Sequence, residues 1–173
     1  MKLSRVLIML SCVVASTLLI AATAGVAWGR NENNGALIGL WKFCDRAICH
    51  KFKEMTVEGW WYAIRVNMVL SLLSAFSGFI LSFAMVLNNS LSTIWLALIY
   101  FISGVLSASS LIVWGIKITP PYRLSYSYVL GLIAFVLELL VIVCCFLEEV
   151  QKRRNRRSSS SDGSNSDLQN LQI

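Results

Sequence analysis

Charge is scarce in this chain: of 173 residues, 14% are Asp, Glu, Lys or Arg and 57% are hydrophobic, well to the apolar side of the usual soluble mix. There is a single histidine, and the chain has no G-x-S-x-G, no phosphate-binding glycine loop and no converging pair of carboxylates. Neither nucleophilic nor acid–base catalysis therefore has a visible constellation. No enzyme activity and no cofactor are expected. Basic residues interleaved with aromatics in a soluble domain are missing too, which speaks against a nucleic-acid partner despite the formal net charge of +6.

What the chain has instead is four long apolar runs. A helix rises about 1.5 Å per residue, so about 20 apolar residues match the hydrocarbon thickness of a bilayer. Residues 6–28, 62–87, 94–116 and 125–147 each reach that length without the alternation of a barrel strand. Backbone polar groups left unpaired in lipid are costly, so each run should be a helix. The expected fold class is an all-α membrane protein with four transmembrane helices in residues 1–150. Its tail, 151–173, is rich in Ser, Asn and Asp and should be disordered. The first run also fits a signal peptide, with Lys2 and Arg5 ahead of it and Ala22-Thr23-Ala24 as a cleavage site. Its apolar stretch continues to Trp28, however, past the usual length of about 7–15 residues, and an uncleaved helix is expected.

A short link around Asn88-Asn89-Ser90 makes the second and third runs an antiparallel hairpin, so both chain ends share one side and the long interval 29–61 lies on the other. Basic residues do not orient the chain. Lys2, Arg5, Lys152, Arg153, Arg154, Arg156 and Arg157 stand on the side of the ends, and Arg30, Lys42, Arg46, Lys51, Lys53, Lys117 and Arg123 on the side of the loops. Cysteine chemistry decides. Cys44 and Cys49 are the pair placed to bond in a polar loop, and a disulfide persists outside the cell or in the lumen. Both termini are then cytoplasmic, and the sequon at Asn88 falls on the silent side. Closing so small a ring removes about 2 kcal/mol of unfolded-state entropy. A metal reading through Cys44, Cys49 and His50 lacks a fourth ligand, and no metal is expected.

Trp28, then Gly39-Leu40-Trp41, Cys44 and Cys49 resemble the extracellular signature of the superfamily of claudins, peripheral myelin protein 22, epithelial membrane proteins and lens fibre membrane intrinsic protein. Arg65 at the mouth of the second helix and Ser125-Tyr126-Ser127-Tyr128-Val129-Leu130-Gly131 opening the fourth add to the likeness, which covers residues 1 to about 150. The resemblance implies a left-handed four-helix bundle bearing a small extracellular antiparallel sheet, clipped by Cys44–Cys49 and anchored by Gly39 and Trp41. It also implies a multi-pass plasma-membrane protein at cell junctions, self-associating in cis or trans. The alternative is an auxiliary subunit that modulates a channel or receptor. The 29–61 loop has no N-x-[ST], a departure from relatives that carry a glycan there. Trp28, Trp41, Trp60, Trp61 and Tyr62 belong at the interface of the bilayer, which is itself the first partner.

Three further features stand apart. Glu138 is the one acidic residue deep in a helix, expected to be neutral and bonded to a neighbouring helix, with Ser16, Thr17, Ser74 and Ser107 at comparable depth. Ser158 and Ser159 follow the basic run and suit phosphorylation, while Leu171 and Ile173 suit the groove of a PDZ protein. Small residues spaced by four, Ala21/Gly25, Ser74/Gly78 and Gly104/Ala108, should let helices approach within the bundle. The topology has a direct test. An epitope inserted at Gly35 should label on intact cells and terminal tags only after permeabilisation; loss of the N-terminal tag from the mature protein would mean that the first run is cleaved.

Overall fold

The computed structural model describes residues 3–45, 48–52, 58–88 and 91–170, the last fifteen as backbone alone. Four helices, α1 (Leu3–Ala24), α2 (Gly59–Leu87), α3 (Thr93–Lys117) and α4 (Tyr126–Asn170), alternate with five short strands. The strands are β1 (Gly29–Asn31), β2 (Leu37–Ile38), β3 (Lys42–Asp45), β4 (Ile48–Lys51) and β5 (Tyr122–Leu124). Each of the four helices is long and apolar enough to cross a membrane. Large hydrophobic side chains such as Leu7, Phe76, Ile102 and Leu140 stay exposed on all four, as lipid contact requires and water does not tolerate. The sequence expectation of four helices and a small antiparallel sheet therefore holds.

Each helix packs on the two beside it in the ring α1, α2, α3, α4. Their ends show alternating direction. At one end Arg5 of α1 pairs with Glu148 of α4 at 2.9 Å and donates to the Met85 carbonyl of α2 at 3.0 Å. Thr93, opening α3, meets the Cys145 carbonyl there at 3.3 Å. At the other end α1 runs out, α2 begins and the sheet sits. Ser92 starts α3 by accepting from Ile94 N, the usual cap for an unsatisfied first turn.

Close helix contacts fall where side chains are small. A Cβ on Gly78 would lie 2.6 Å from the buried ring of Tyr100, and one on Gly25 would lie 2.2 Å from Ser127 Oγ. Gly104 faces Glu138 and Phe135. All three contacts are within the bundle.

Two boundaries differ from the apolar runs. α1 ends at Ala24 and leaves 25–28 irregular, because Trp28 turns back and donates its indole N–H to the Ala22 carbonyl at 2.7 Å. That bond satisfies one of the carbonyls a helix end leaves open. The remaining 22 residues still span about 33 Å. α4 runs through to Asn170, where composition leads one to expect disorder from Gln151. A helix already nucleated in an apolar run propagates cheaply into Gln-, Lys- and Arg-rich sequence. Glu149 and Arg153, four apart and paired at 3.5 Å, continue it. Ser158 and Ser159 lie on this backbone; Leu171, Ile173, Asn89 and Ser90 lie outside the described residues, as do Arg46, Lys53 and Glu54.

Glu138 is fully buried and joins three helices. Its Oε1 lies 2.5 Å from Ser103 Oγ and its Oε2 3.1 Å from Ser107 Oγ, both of α3, and Ser103 in turn meets the Ser71 hydroxyl of α2 at 3.0 Å. Of the four partners expected from depth, Ser107 alone reaches it. Ser74 bonds to the Ile99 carbonyl, Thr17 to its own helix, and Ser16 is buried without a partner among the described residues. Depth along a helix is legible in a sequence; the rotational facing that selects Ser103 is not. Glu138→Gln keeps a hydrogen-bonding amide in this nest and should shift stability by no more than about 1 kcal/mol, whereas Glu138→Lys buries a cation among hydroxyls and should abolish export. Thermal unfolding in detergent and surface delivery check both. Intact folding with lost function in Glu138→Gln would point to a titrating role instead.

Candidate functional site

The strands form one antiparallel sheet in the order β4-β3-β2-β1-β5. β5 comes from the short second loop and pairs with β1 through Gly29↔Leu124, Arg30↔Arg123 and Asn31↔Tyr122, so both loops build one surface. The first hairpin turns at Gly35, whose φ of 73° suits a residue without a side chain. Asn31 Oδ1 accepts from Asn33 N at 2.8 Å and holds that turn. Cys44 and Cys49 stand directly opposite across β3 and β4 and are joined by a disulfide, as expected.

The sheet is fastened to the bundle by the segment Gly39-Leu40-Trp41. A Cβ on Gly39 would lie 2.7 Å from the Val26 Cα, so only glycine lets this backbone cross the end of α1. Leu40 is buried, and its carbonyl accepts from Arg65 Nε at 2.6 Å and from the Trp61 indole at 3.1 Å, both on α2. Trp41 donates its indole N–H to the Thr23 carbonyl of α1 at 2.8 Å. Three successive residues thus dock onto two helices. The Arg65 guanidinium also lies over three rings: Trp41 at 5.3 Å, Tyr62 at 5.6 Å and Phe52 at 5.7 Å. A cation so placed gains from the ring faces what it loses in hydration.

Beneath the sheet an aromatic stack ties the helices together. Trp114 of α3 is its hub, edge-on to Trp28 at 5.3 Å and to Trp61 at 4.9 Å. Trp60 and Phe52 extend it through Trp61, and Tyr128 of α4 meets Trp28. Trp28 is therefore a core residue, wholly buried, and not the interfacial anchor its position at the end of an apolar run suggests. Trp41 and Tyr62 do remain exposed at the edge. The Ser125–Gly131 motif has a matching place. Ser125 N donates to the Trp28 carbonyl at 3.1 Å and Ser127 N to the Ala27 carbonyl at 3.0 Å, tying the start of α4 to the exit from α1.

Trp28, Gly39, Leu40, Trp41 and Arg65 therefore converge on one junction, the disulfide links β3 to β4 within the sheet, and Glu138 lies apart, within the bundle. Sequence reading missed Trp114, Trp61 as a donor, and β5. Trp114 sits inside an apolar run with nothing to single it out. No group of three His, Cys, Asp or Glu able to hold a metal occurs among the described residues. No protein-family model and no curated protein matches the chain.

Arg65→Ala should cost about 1.5–3 kcal/mol by removing the charged donor to Leu40, and Arg65→Lys should restore little of it, since an ammonium lacks the flat surface that lies over the rings. Cys44→Ser should cost about 2 kcal/mol, and Trp41→Ala should loosen the sheet without melting the helices. Thermal unfolding in micelles with limited proteolysis of the 29–58 segment reads both effects; full stability of Arg65→Lys would rule out the ring contacts as the source.

Proposed function

We propose that this chain is a non-enzymatic, multi-pass plasma-membrane protein of the claudin-like kind, whose sheet is an outward platform for contact with another membrane protein, foremost a second copy of itself. The observation that carries this reading is the open edge of the sheet. All four residues of β4 are exposed, Ile48 at 64%, and β4 has no strand on its far side among the described residues. Such an edge is a template for pairing with another chain. A platform that must bear force needs a stiff mount, which the Leu40 and Trp41 attachments supply while the disulfide braces the β3–β4 hairpin. The disulfide favours an oxidising compartment on the sheet side, which leaves both termini cytoplasmic. The convergence of Trp28, Gly39-Leu40-Trp41, Arg65 and Ser127 on one junction supports the claudin-like reading, since residues scattered along the chain have one mechanical use.

Expression in otherwise non-adherent cells tests the role. The wild type should gather where two expressing cells touch and increase aggregation, and Ile48→Lys, which places a charge on the open edge without touching the mount, should reduce both several-fold. An even distribution over the surface with no gain in aggregation would overturn the contact role; co-purification of a channel or receptor in that case would establish the auxiliary-subunit alternative.

A further inference from the structure

Between the β3–β4 hairpin and the outer face of α2 lies a groove of about 630 Å³, whose lining includes Lys42, Lys51, Arg65, Val66, Val69 and Leu70. Its size falls within the usual range of small-molecule sites. Its chemistry is graded. Lys42 and Lys51 form its rim and are directly opposed across the strands. Like charges in that register repel. Arg65 stands below them, and its Nη2 is buried with no hydrogen-bond partner among the described residues. None of the three cations has a carboxylate partner among those residues. Further down α2 the lining is wholly apolar, at Val66, Val69 and Leu70, and the exposed stripe continues past the groove through Leu73 and Phe76.

Three cations without a carboxylate partner among the described residues, above an apolar channel that leads along a lipid-facing helix, suit one kind of molecule. We infer that this groove binds a single lipid with a net negative head, its anionic group between Lys42, Lys51 and the free Arg65 nitrogen and its chain along Val66, Val69 and Leu70. The anion relieves the repulsion of the two lysines and satisfies the orphaned donor; the chain covers apolar surface that a soluble anion would leave bare. A neutral zwitterionic lipid brings its own cation to a site that already has three. The inference rests on the helices lying in a bilayer and not on the contact role, so either can fail alone.

Native mass spectrometry of the full chain released from mild detergent tests it, with dioleoyl phosphatidylglycerol and dioleoyl phosphatidylcholine as competing lipids. Phosphatidylglycerol should be retained several-fold over phosphatidylcholine. Each of Lys42→Gln and Lys51→Gln should weaken retention about fivefold, and Lys117→Gln, a lysine outside the groove, should leave it unchanged. Both rim lysines are exposed, so the thermal midpoint of the lipid-free variants should be no lower than that of the wild type. Val69→Trp fills the channel with the charges intact and should reduce retention as well. Equal retention of the two lipids, or unchanged retention in the double Lys42→Gln/Lys51→Gln variant, overturns the proposal. So does competition by millimolar inorganic phosphate together with an unaffected Val69→Trp, since the site would then hold a head without a tail.

Discussion

A carbonyl that leaves water must find a donor, and the structure turns on one of them. Between β2 and β3 the backbone dips onto the end of the bundle, and burial of Leu40 takes its oxygen out of reach of solvent. Arg65 Nε and the Trp61 indole both reach it from α2. An orphaned carbonyl in that position costs as much as several ordinary hydrogen bonds contribute. The sheet therefore has one seat on the bundle, and the flanking bonds, Gly39 N to the Lys42 carbonyl and Trp41 to Thr23, fit around it.

The rest of the junction extends the same logic to the exits of the helices. The Trp28 indole on the Ala22 carbonyl, and the Ser125 and Ser127 amides on Trp28 and Ala27, satisfy groups freed where α1 stops. Arg5, Glu148 and Met85 do so at the opposite end. Between these two polar lids the bundle is held by close packing over glycines and by the Glu138 and serine network. Glu138, Ser71, Ser103 and Ser107 are matched with one another within the protein, as a hydrocarbon surrounding would demand.

Stiffness at the mount and openness at the edge are complementary. β4 is an edge strand of the sheet and is left exposed, while β1, at the heart of the junction, is paired on both sides. The groove under β3 and β4 lies where the sheet overhangs α2, so a molecule lodged there would bear on the hairpin that carries the open edge. Contact and lipid occupancy would then share one mechanical element.

How much of this was written in the sequence depends on the range of the interaction. Four spans, their order, the hairpin link and the cysteine pair follow from length, hydropathy and spacing, which are local properties of the chain. The residues of the junction could be singled out as a motif, but not their tasks: Trp28 reads as an interfacial tryptophan and is core, and Leu40 matters through its main chain, which no side-chain pattern announces. β5 looks like an ordinary loop, because three residues become a strand only when β1 lies beside them. Ser103, and not Ser16, Thr17 or Ser74, meets Glu138 because helix rotation places it there. Composition and period determined the helices; the tertiary structure decided every partner, since a hydrogen bond between residues 25 or 100 positions apart depends on what faces what, and that is settled only when the four helices pack.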